Sequence, residues 1–407
     1  MALRGLRTLN LKIWFVPFWL LGCLVTILQI EALPESSMGE GFENLAVARS
    51  LVAGQGFANP YRTLRTGVTA HVAPFYPAIV AGVTRLFGNE NAATLPLACL
   101  HVLLHGLQLA LLLPLALLLF GDIRVGLAAY ALLAFLPIFP LTLQHESIFL
   151  AVTLMFALLM PVRRWSALPS ALLCAFALHV SPSSVFVLAA WLWWKCPSPI
   201  WLAVWLLTLV AAMTPWTVRN YQALGKLLFI RDNLPLELYV SNNDMAQTSM
   251  RDNGGAAMSA FHPNLNIGEA KLVRAIGETT YMQDRGRIAW EWIRSHPARF
   301  ATLTFSRTWR YWFPAITKRP WQGWLICLVT LLSLPALLRL WSHPIFFSAT
   351  LLTPLLYYII QVDPRYRLPF LWVTLLAAGW TIISFADQWQ ARRRQPPTPT
   401  TEPMTLS

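Results

Sequence analysis

Charge is what this chain has least of. Charged residues make up 12% of its 407 positions, against about 25% in soluble domains. That shortage excludes a soluble globular surface for most of the chain. Cysteine is also scarce: Cys23, Cys99, Cys174, Cys196 and Cys327 form no Cys-x-x-Cys pair, and none falls in a segment expected outside. A disulfide framework and a Cys-ligated zinc site are thereby excluded. Alternation of apolar and polar residues is missing from blocks such as "LQLALLLPLALLLF", which excludes a membrane β-barrel. No internal repeat is evident.

What is present is apolar residue, 56% of the chain, in blocks of about 17–25, long enough to cross a bilayer as helices. Lipid offers backbone groups no partners, so such blocks must be helical. The expected fold class is all-α: a polytopic membrane protein with about ten transmembrane helices. Spans are expected near 13–30, 94–120, 124–141, 146–160, 166–181, 184–195, 199–215, 321–341, 344–361 and 368–386. The basic residues order them. Arg4, Arg7 and Lys12, Arg124, Arg163 and Arg164, Lys195, Arg339 and Arg392 to Arg394 fall on one side, while "LTLQHES" and "SPSS" on the other carry none. By the positive-inside rule both termini are cytoplasmic. The basic start and its long apolar run read as an uncleaved first helix.

The expected organisation follows. Residues 1–30 are a cytoplasmic start and the first transmembrane helix. Residues 31–93 are a first outer loop with interfacial helices, "PFYPAIVAGVTRLFG" among them. Residues 94–215 hold helices two to seven, 216–320 a larger outer loop domain, and 321–386 helices eight to ten. Residues 387–407 are a disordered cytoplasmic tail. The net charge of +13 would suggest nucleic acid in a soluble protein. Here no nucleic-acid partner is expected, because much of the excess lies in cytoplasmic loops. The rest lies in 216–320, with fourteen Lys/Arg against eight Asp/Glu, and suits an anionic partner.

Residues 355–380, "LLYYIIQVDPRYRLPFLWVTLLAAGW", are apolar except for one knot, Asp363 to Arg367. It is the one short outer loop with arginines. Arginine costs roughly 2.5–3.5 kcal/mol at mid-membrane and less near the surface. Either Asp363 pairs with one arginine while the other snorkels, or Arg365 or Arg367 holds an anion. A lipid phosphate suits the guanidinium fork best. In the first outer loop Glu31, Glu35, Glu40 and Glu43 lie close together. A helix is expected from Phe42 to Gly54, with Glu40 just before its start. A carboxylate there could take a proton from a hydroxyl, or be a solvated cap. His145 and Glu146 open a span, as an interface anchor or as a second carboxylate across a cavity. In the latter role a divalent cation is possible, though two carboxylates are few for one. Arg219 and Asn220 close a span, as a snorkelling pair or as a phosphate or sugar contact. His71 could reach a cavity. His101 and His105 suit interhelical hydrogen bonding. His262 and His296, each before proline, read as structural.

These stretches, in this order, resemble the GT-C superfamily of polytopic glycosyltransferases, above all its protein O-mannosyltransferase and lipid A aminoarabinose transferase group. The matching pieces are "GEGFENLAVARSLVAGQGF", "APFYPAIVAGVTRLFG", "QHESIFLAVTL", "PWTVRNYQALG", "SHPARFATLTFSRTWRYWF" and "DPRYRLPF". They cover most of residues 30–370. The resemblance implies a polyprenyl-phosphate-sugar donor, inverting transfer on the outer face, and a catalytic acid in the first outer loop. That acid is Glu40, with Glu43 the alternative, where the family often has Asp. Arg365 and Tyr366 match the family's Arg-Tyr pair near the donor phosphate. The sugar is not implied, and the acceptor could be a glycan, a lipid or a protein. Two rival classes remain: a flippase of lipid-linked sugars, and a non-catalytic membrane subunit. A flippase would show paired repeats and broken helices at mid-membrane.

Overall fold

The structure, a computed structural model, describes residues 11–31, 42–136, 146–315 and 320–394. Among them no β-strand forms: apart from two isolated bridges, Ala58 with Val68 and Ser249 with Val362, the structure consists of helices and the loops between them. In order the α-helices are α1 (Leu11–Glu31), α2 (Phe42–Val52), α3 (Phe75–Phe87), α4 (Glu90–Phe120), α5 (Ile123–Phe135), α6 (Ser147–Leu159), α7 (Ala167–Val180), α8 (Val185–Lys195) and α9 (Pro199–Leu224). Then come α10 (Leu234–Ser241), α11 (Met250–Gly254), α12 (Ala257–Phe261), α13 (Ile267–Ile276), α14 (Glu278–Ser295), α15 (Pro297–Trp312), α16 (Pro320–Leu340), α17 (Pro344–Phe347), α18 (Thr353–Tyr358) and α19 (Leu371–Arg394). A π-helical turn, Ser348–Leu352, joins α17 to α18, and a 3-10 segment, Pro364–Phe370, precedes α19.

Five segments are long and apolar enough to cross a membrane: Ile13–Ile30, Glu90–Phe120, Pro199–Leu224, Gly323–Leu340 and Pro364–Arg393. The other five expected spans are shorter helices here. α5 and α6 have 13 residues each and α7 has 14, so each is about 20 Å long at 1.5 Å per residue. That is less than the ~30 Å hydrocarbon core. α8 has 11 residues, and the segment expected at 344–361 is broken by the π turn.

Local sequence sets the helix ends. Asn89 accepts a hydrogen bond from Ala92 N–H and starts α4; Gly121, left-handed at φ 68°, stops it. Ser198 caps α9, with Pro199 in its first turn. Between helices, small residues permit contact that a side chain would forbid. A Cβ on Gly106 of α4 would lie 2.5 Å from Cys23 Sγ and 2.8 Å from Cys23 N of α1. In lipid, such close backbone approach is a main source of helix association. His105 Nδ1 meets Thr26 Oγ1 at 2.8 Å across the same pair, whereas the His101 ring bonds Leu97 O within its own helix.

One core runs through α2 to α9, α16, α17 and α19. A second, smaller cluster gathers Leu236, Val240, Val273, Tyr281, Met282 and Ala289 from within 216–320, together with Tyr61 and Ile360. Buried Arg307 ties this part to the segment before α19: it donates to Asn242 Oδ1 at 3.1 Å, Ile359 O at 3.2 Å and Ser241 O. Residues expected on the cytoplasmic side also meet one another. Arg124 donates two parallel hydrogen bonds to the Asp387 carboxylate, each 2.8 Å, and pairs with Asp122. Phe120 packs on Phe346, and Trp194 on His343.

Candidate functional site

A cavity of about 140 Å³ opens where six segments distant in sequence meet, one of them the end of α7 and the turn after it with Ser181 and Ser183. The start of α2 brings Glu43 and Asn44. The loop after it brings His71. The start of α6 brings Glu146 and Ser147, and residues 231–237 bring Arg231, Asn233 and Glu237. The stretch 357–366 brings Tyr357, Arg365 and Tyr366.

The cavity holds three carboxylates, and each takes a hydrogen bond from a neutral amide. Glu43 accepts from Asn264 Nδ2 at 3.2 Å, Glu146 from Asn44 Nδ2 at 3.2 Å, and Glu237 from Gln361 Nε2 at 3.5 Å. An amide donor fixes a carboxylate without cancelling its charge. Burial pushes the Glu43 carboxyl above its usual range, and the Arg365 charge pulls part of the way back. A base with a raised pKa is better matched to neutral pH.

Behind Glu43 stand two imidazoles. Burial lowers both His71 and His262 below the ordinary histidine range, so both are neutral near pH 7. His71 Nδ1 lies 3.2 Å from Tyr61 OH. His262 Nε2 is 3.9 Å from Glu43 Oε1. One ligand atom from each of Glu43, His71 and His262 falls within 4.8 Å of the others, so the trio could hold a divalent cation. The hydrogen bonding favours a different use. Asn264 N–H donates to His262 Nδ1 at 3.1 Å, which leaves the proton of the neutral ring on Nε2, facing Glu43. A bound cation would have to displace it.

The knot is a 3-10 turn. The Asp363 side chain caps it, accepting from Arg365 N–H at 2.9 Å. Asp363 reaches the Arg365 side chain only at 3.8 Å, through Nε. The far end of the guanidinium has a weak contact, Nη2 to Met250 Sδ at 3.5 Å, and faces the cavity. Tyr366 stacks on Tyr357, with ring centroids 4.6 Å apart. Main-chain bonds from Met250 N to Val362 O and from Val362 N to Thr248 O hold the turn in place.

Of the residues singled out from sequence, Glu43, His71, Glu146, Arg365 and Tyr366 meet at this cavity. Glu40 and His145 lie outside the described residues. Three others lie elsewhere. Arg367 is buried and donates to Trp312 O at 3.2 Å, Thr330 Oγ1 at 2.7 Å and Thr374 Oγ1 at 3.2 Å. Its fork is occupied by the protein. Arg219 donates to Thr69 O and Phe57 O, each at 2.7 Å, and lies over the Trp216 ring. Asn220, fully buried, donates to Leu228 O at 2.9 Å and Ile230 O at 3.4 Å. This pair clamps backbone and lines no part of the cavity that holds Glu43 and Arg365.

Arg231, Asn233, Glu237 and Tyr357 line the cavity without having been singled out, and His262 stands behind it rather than merely shaping a turn. The available signal was the string "RDNLPLE", where charge and amide precede a helix. Below this site the buried pair Asp232 and Glu278 is turned away from the cavity. Glu278 accepts from Ala70 N–H at 2.6 Å and from Thr69 Oγ1. No protein-family model, characterised protein or solved structure matches this chain.

Proposed function

We propose that this protein is an integral membrane glycosyltransferase of GT-C type, with about ten transmembrane helices and its cavity on the outer face. It would move a sugar from a polyprenyl-phosphate donor to an acceptor hydroxyl on a glycan, lipid or protein, with inversion. The observation that carries this reading is the convergence of Glu43, His71, Glu146, Arg365 and Tyr366 from separate segments on one cavity. A base and a phosphate-binding cation are the two groups such a transfer needs.

In this reading the Glu43 carboxylate accepts the proton of the acceptor hydroxyl. The oxygen attacks the anomeric carbon from the face opposite the phosphate. The bond from that carbon to the phosphate oxygen breaks, and polyprenyl phosphate leaves with the electron pair. Arg365 meets the charge that develops there, which is where electrostatic stabilisation lowers a barrier most. Glu146 and Glu237 are placed to orient hydroxyls of the sugar or acceptor. His262 Nε2–H faces Glu43 and steadies its ionised form.

The test is mass spectrometry of cell-envelope glycans, glycolipids and glycoproteins from cells with and without the protein. Purified protein is then supplied with polyprenyl-phosphate sugars. A single-sugar mass increment that depends on the protein, and is lost in Glu43→Gln, is expected. Identical envelope profiles together with no transfer from any polyprenyl-phosphate donor would overturn the reading.

A further inference from the structure

We propose that Arg231 is a second ligand for the substrate phosphate, so that the lipid phosphate is gripped between Arg231 and Arg365. This rests on the glycosyl-transfer reading of the cavity.

The backbone around Arg231 is fixed on both sides. Ile230 O accepts from Trp216 Nε1 at 2.8 Å and from Asn220 Nδ2 at 3.4 Å. Asp232 N–H donates to Ala70 O at 3.1 Å. Asp232 faces the buried Glu278 carboxyl, while Arg231 enters the cavity. Among the described residues Arg231 makes no hydrogen bond or ion pair, although three carboxylates line the same space. An arginine whose neighbouring backbone is fixed on both sides, and whose half-buried guanidinium lines a cavity without a protein partner, is available to an anionic ligand. Arg231, Arg365 and Tyr357 line the same cavity.

Charge gives the need. Glu43, Glu146 and Glu237 set three carboxylates against an incoming anion. Arg365 alone leaves the cavity net negative, and a phosphate entering it would be repelled. Arg231 reduces that deficit. The demand also grows during the reaction. The donor phosphate is a diester with a single negative charge, while the released monoester carries about −1.5 to −2 at neutral pH. Arg231 therefore matters more for the leaving phosphate than for the donor.

The experiment measures binding of a polyprenyl monophosphate, the matching polyprenol and inorganic phosphate to the full-length protein in nanodiscs. Wild type, Arg231→Ala, Arg231→Lys, Arg231→Gln and Arg365→Ala are compared, with melting temperatures without ligand as the folding control. Charge-assisted hydrogen bonds to a phosphate predict at least a tenfold loss for Arg231→Ala on the monophosphate. Polyprenol binding should not change. Lysine should recover part of the loss, because it has charge without the fork, and glutamine none. In transfer assays kcat should fall more than donor KM rises. Wild-type monophosphate affinity in Arg231→Ala and Arg231→Gln, with weakened binding in Arg365→Ala, would overturn the inference and leave the cavity reading intact. A wild type that binds monophosphate no better than polyprenol would overturn both. Inorganic phosphate bound as tightly as the lipid monophosphate would overturn the assignment to a lipid headgroup.

Discussion

Two glutamates three positions apart compete for one role, and the surroundings of Glu43 suit it to that role. Glu43 lies in the cavity, with its carboxylate held by Asn264 and facing His262. Glu43→Gln preserves size and the polar contact but cannot accept a proton. Transfer should fall by about 10²–10⁴-fold while the melting temperature holds, and Glu40→Gln should lose less. The opposite ranking in matched kcat assays would return the role to Glu40. The two arginines of the knot are separated by their surroundings. Positions two apart on a 3-10 turn differ by about 240° in direction, so Arg365 faces the cavity while Arg367 turns into the core. Removing Arg367 leaves the Thr330 and Thr374 hydroxyl oxygens without their buried guanidinium donor, while Thr330 Oγ1 still donates to the Trp312 carbonyl at 2.9 Å; each group left unsatisfied costs about 1–3 kcal/mol. Arg367→Ala should therefore lower the melting temperature clearly, and Arg365→Ala should lower donor binding instead. That contrast, read by thermal unfolding beside donor titration, also explains why spacing alone left the two residues equivalent.

At the scale of elements, the site depends on a bracket formed by the end of α9. Trp216 and Asn220 hold residues 228–230, and Arg219 holds Phe57 O and Thr69 O. The flanking chains then deliver Arg231 and His71. "PWTVRNYQALG" was legible as a motif because its polar residues end an apolar run; its role as a clamp was not, because it acts on carbonyls far away in sequence. Arg231 and Glu237 were harder to read for a different reason. They lie in the mixed-polarity stretch 216–320, where charges are frequent and none stands out. The helices themselves were legible wherever apolar blocks were long, and least so where α5 to α8 stop short.

The bracket adjoins a contact between the start of α14 and two loops, and that contact titrates. Burial and the facing Asp232 carboxyl push Glu278 up to about 8, and Asp232 is raised as well. A proton on Glu278 lets the two carboxyl groups share a hydrogen bond. The folded state thus holds more protons than the unfolded chain between the ordinary Glu value of 4.5 and about 8. Stability is then fully supported below that window and declines as pH rises through it. Melting temperatures across pH 4.5 to 9 should fall in wild type, and the slope should flatten in Glu278→Gln. A wild-type curve that rises with pH across this window would show that the pair is not protonated in the fold.

For the whole molecule the proposed ten-helix arrangement requires α5 to α8 and α17 to α18 to lie in the bilayer. Helices of about 20 Å cannot cross ~30 Å of hydrocarbon unaided, yet packing ties their ends to fixed points. Arg124 is locked to Asp387 of α19, and Trp201 Nε1 donates to Arg163 O at 3.2 Å. Phe346 links Phe120 to His343, which packs on Trp194. The segments expected in the cytoplasm thereby gather in local contacts with one another. Glu146, Ser181, Ser183 and Arg365, all from expected outer connections, line one cavity. Short helices can bridge between these two sets of residues if the bilayer thins around them or if they tilt little and their ends stay buried in protein. Single cysteines, placed in a background with the five native ones replaced, test this in intact cells. Gln55→Cys and Arg251→Cys should react with an impermeant thiol reagent from outside. Arg163→Cys and Arg392→Cys should react only after the membrane is opened. Labelling of position 163 from outside, with 392 protected, would mean that α6 and α7 do not cross as a pair. The ten-helix arrangement would then fall, and with it the side assigned to every loop between α5 and α9.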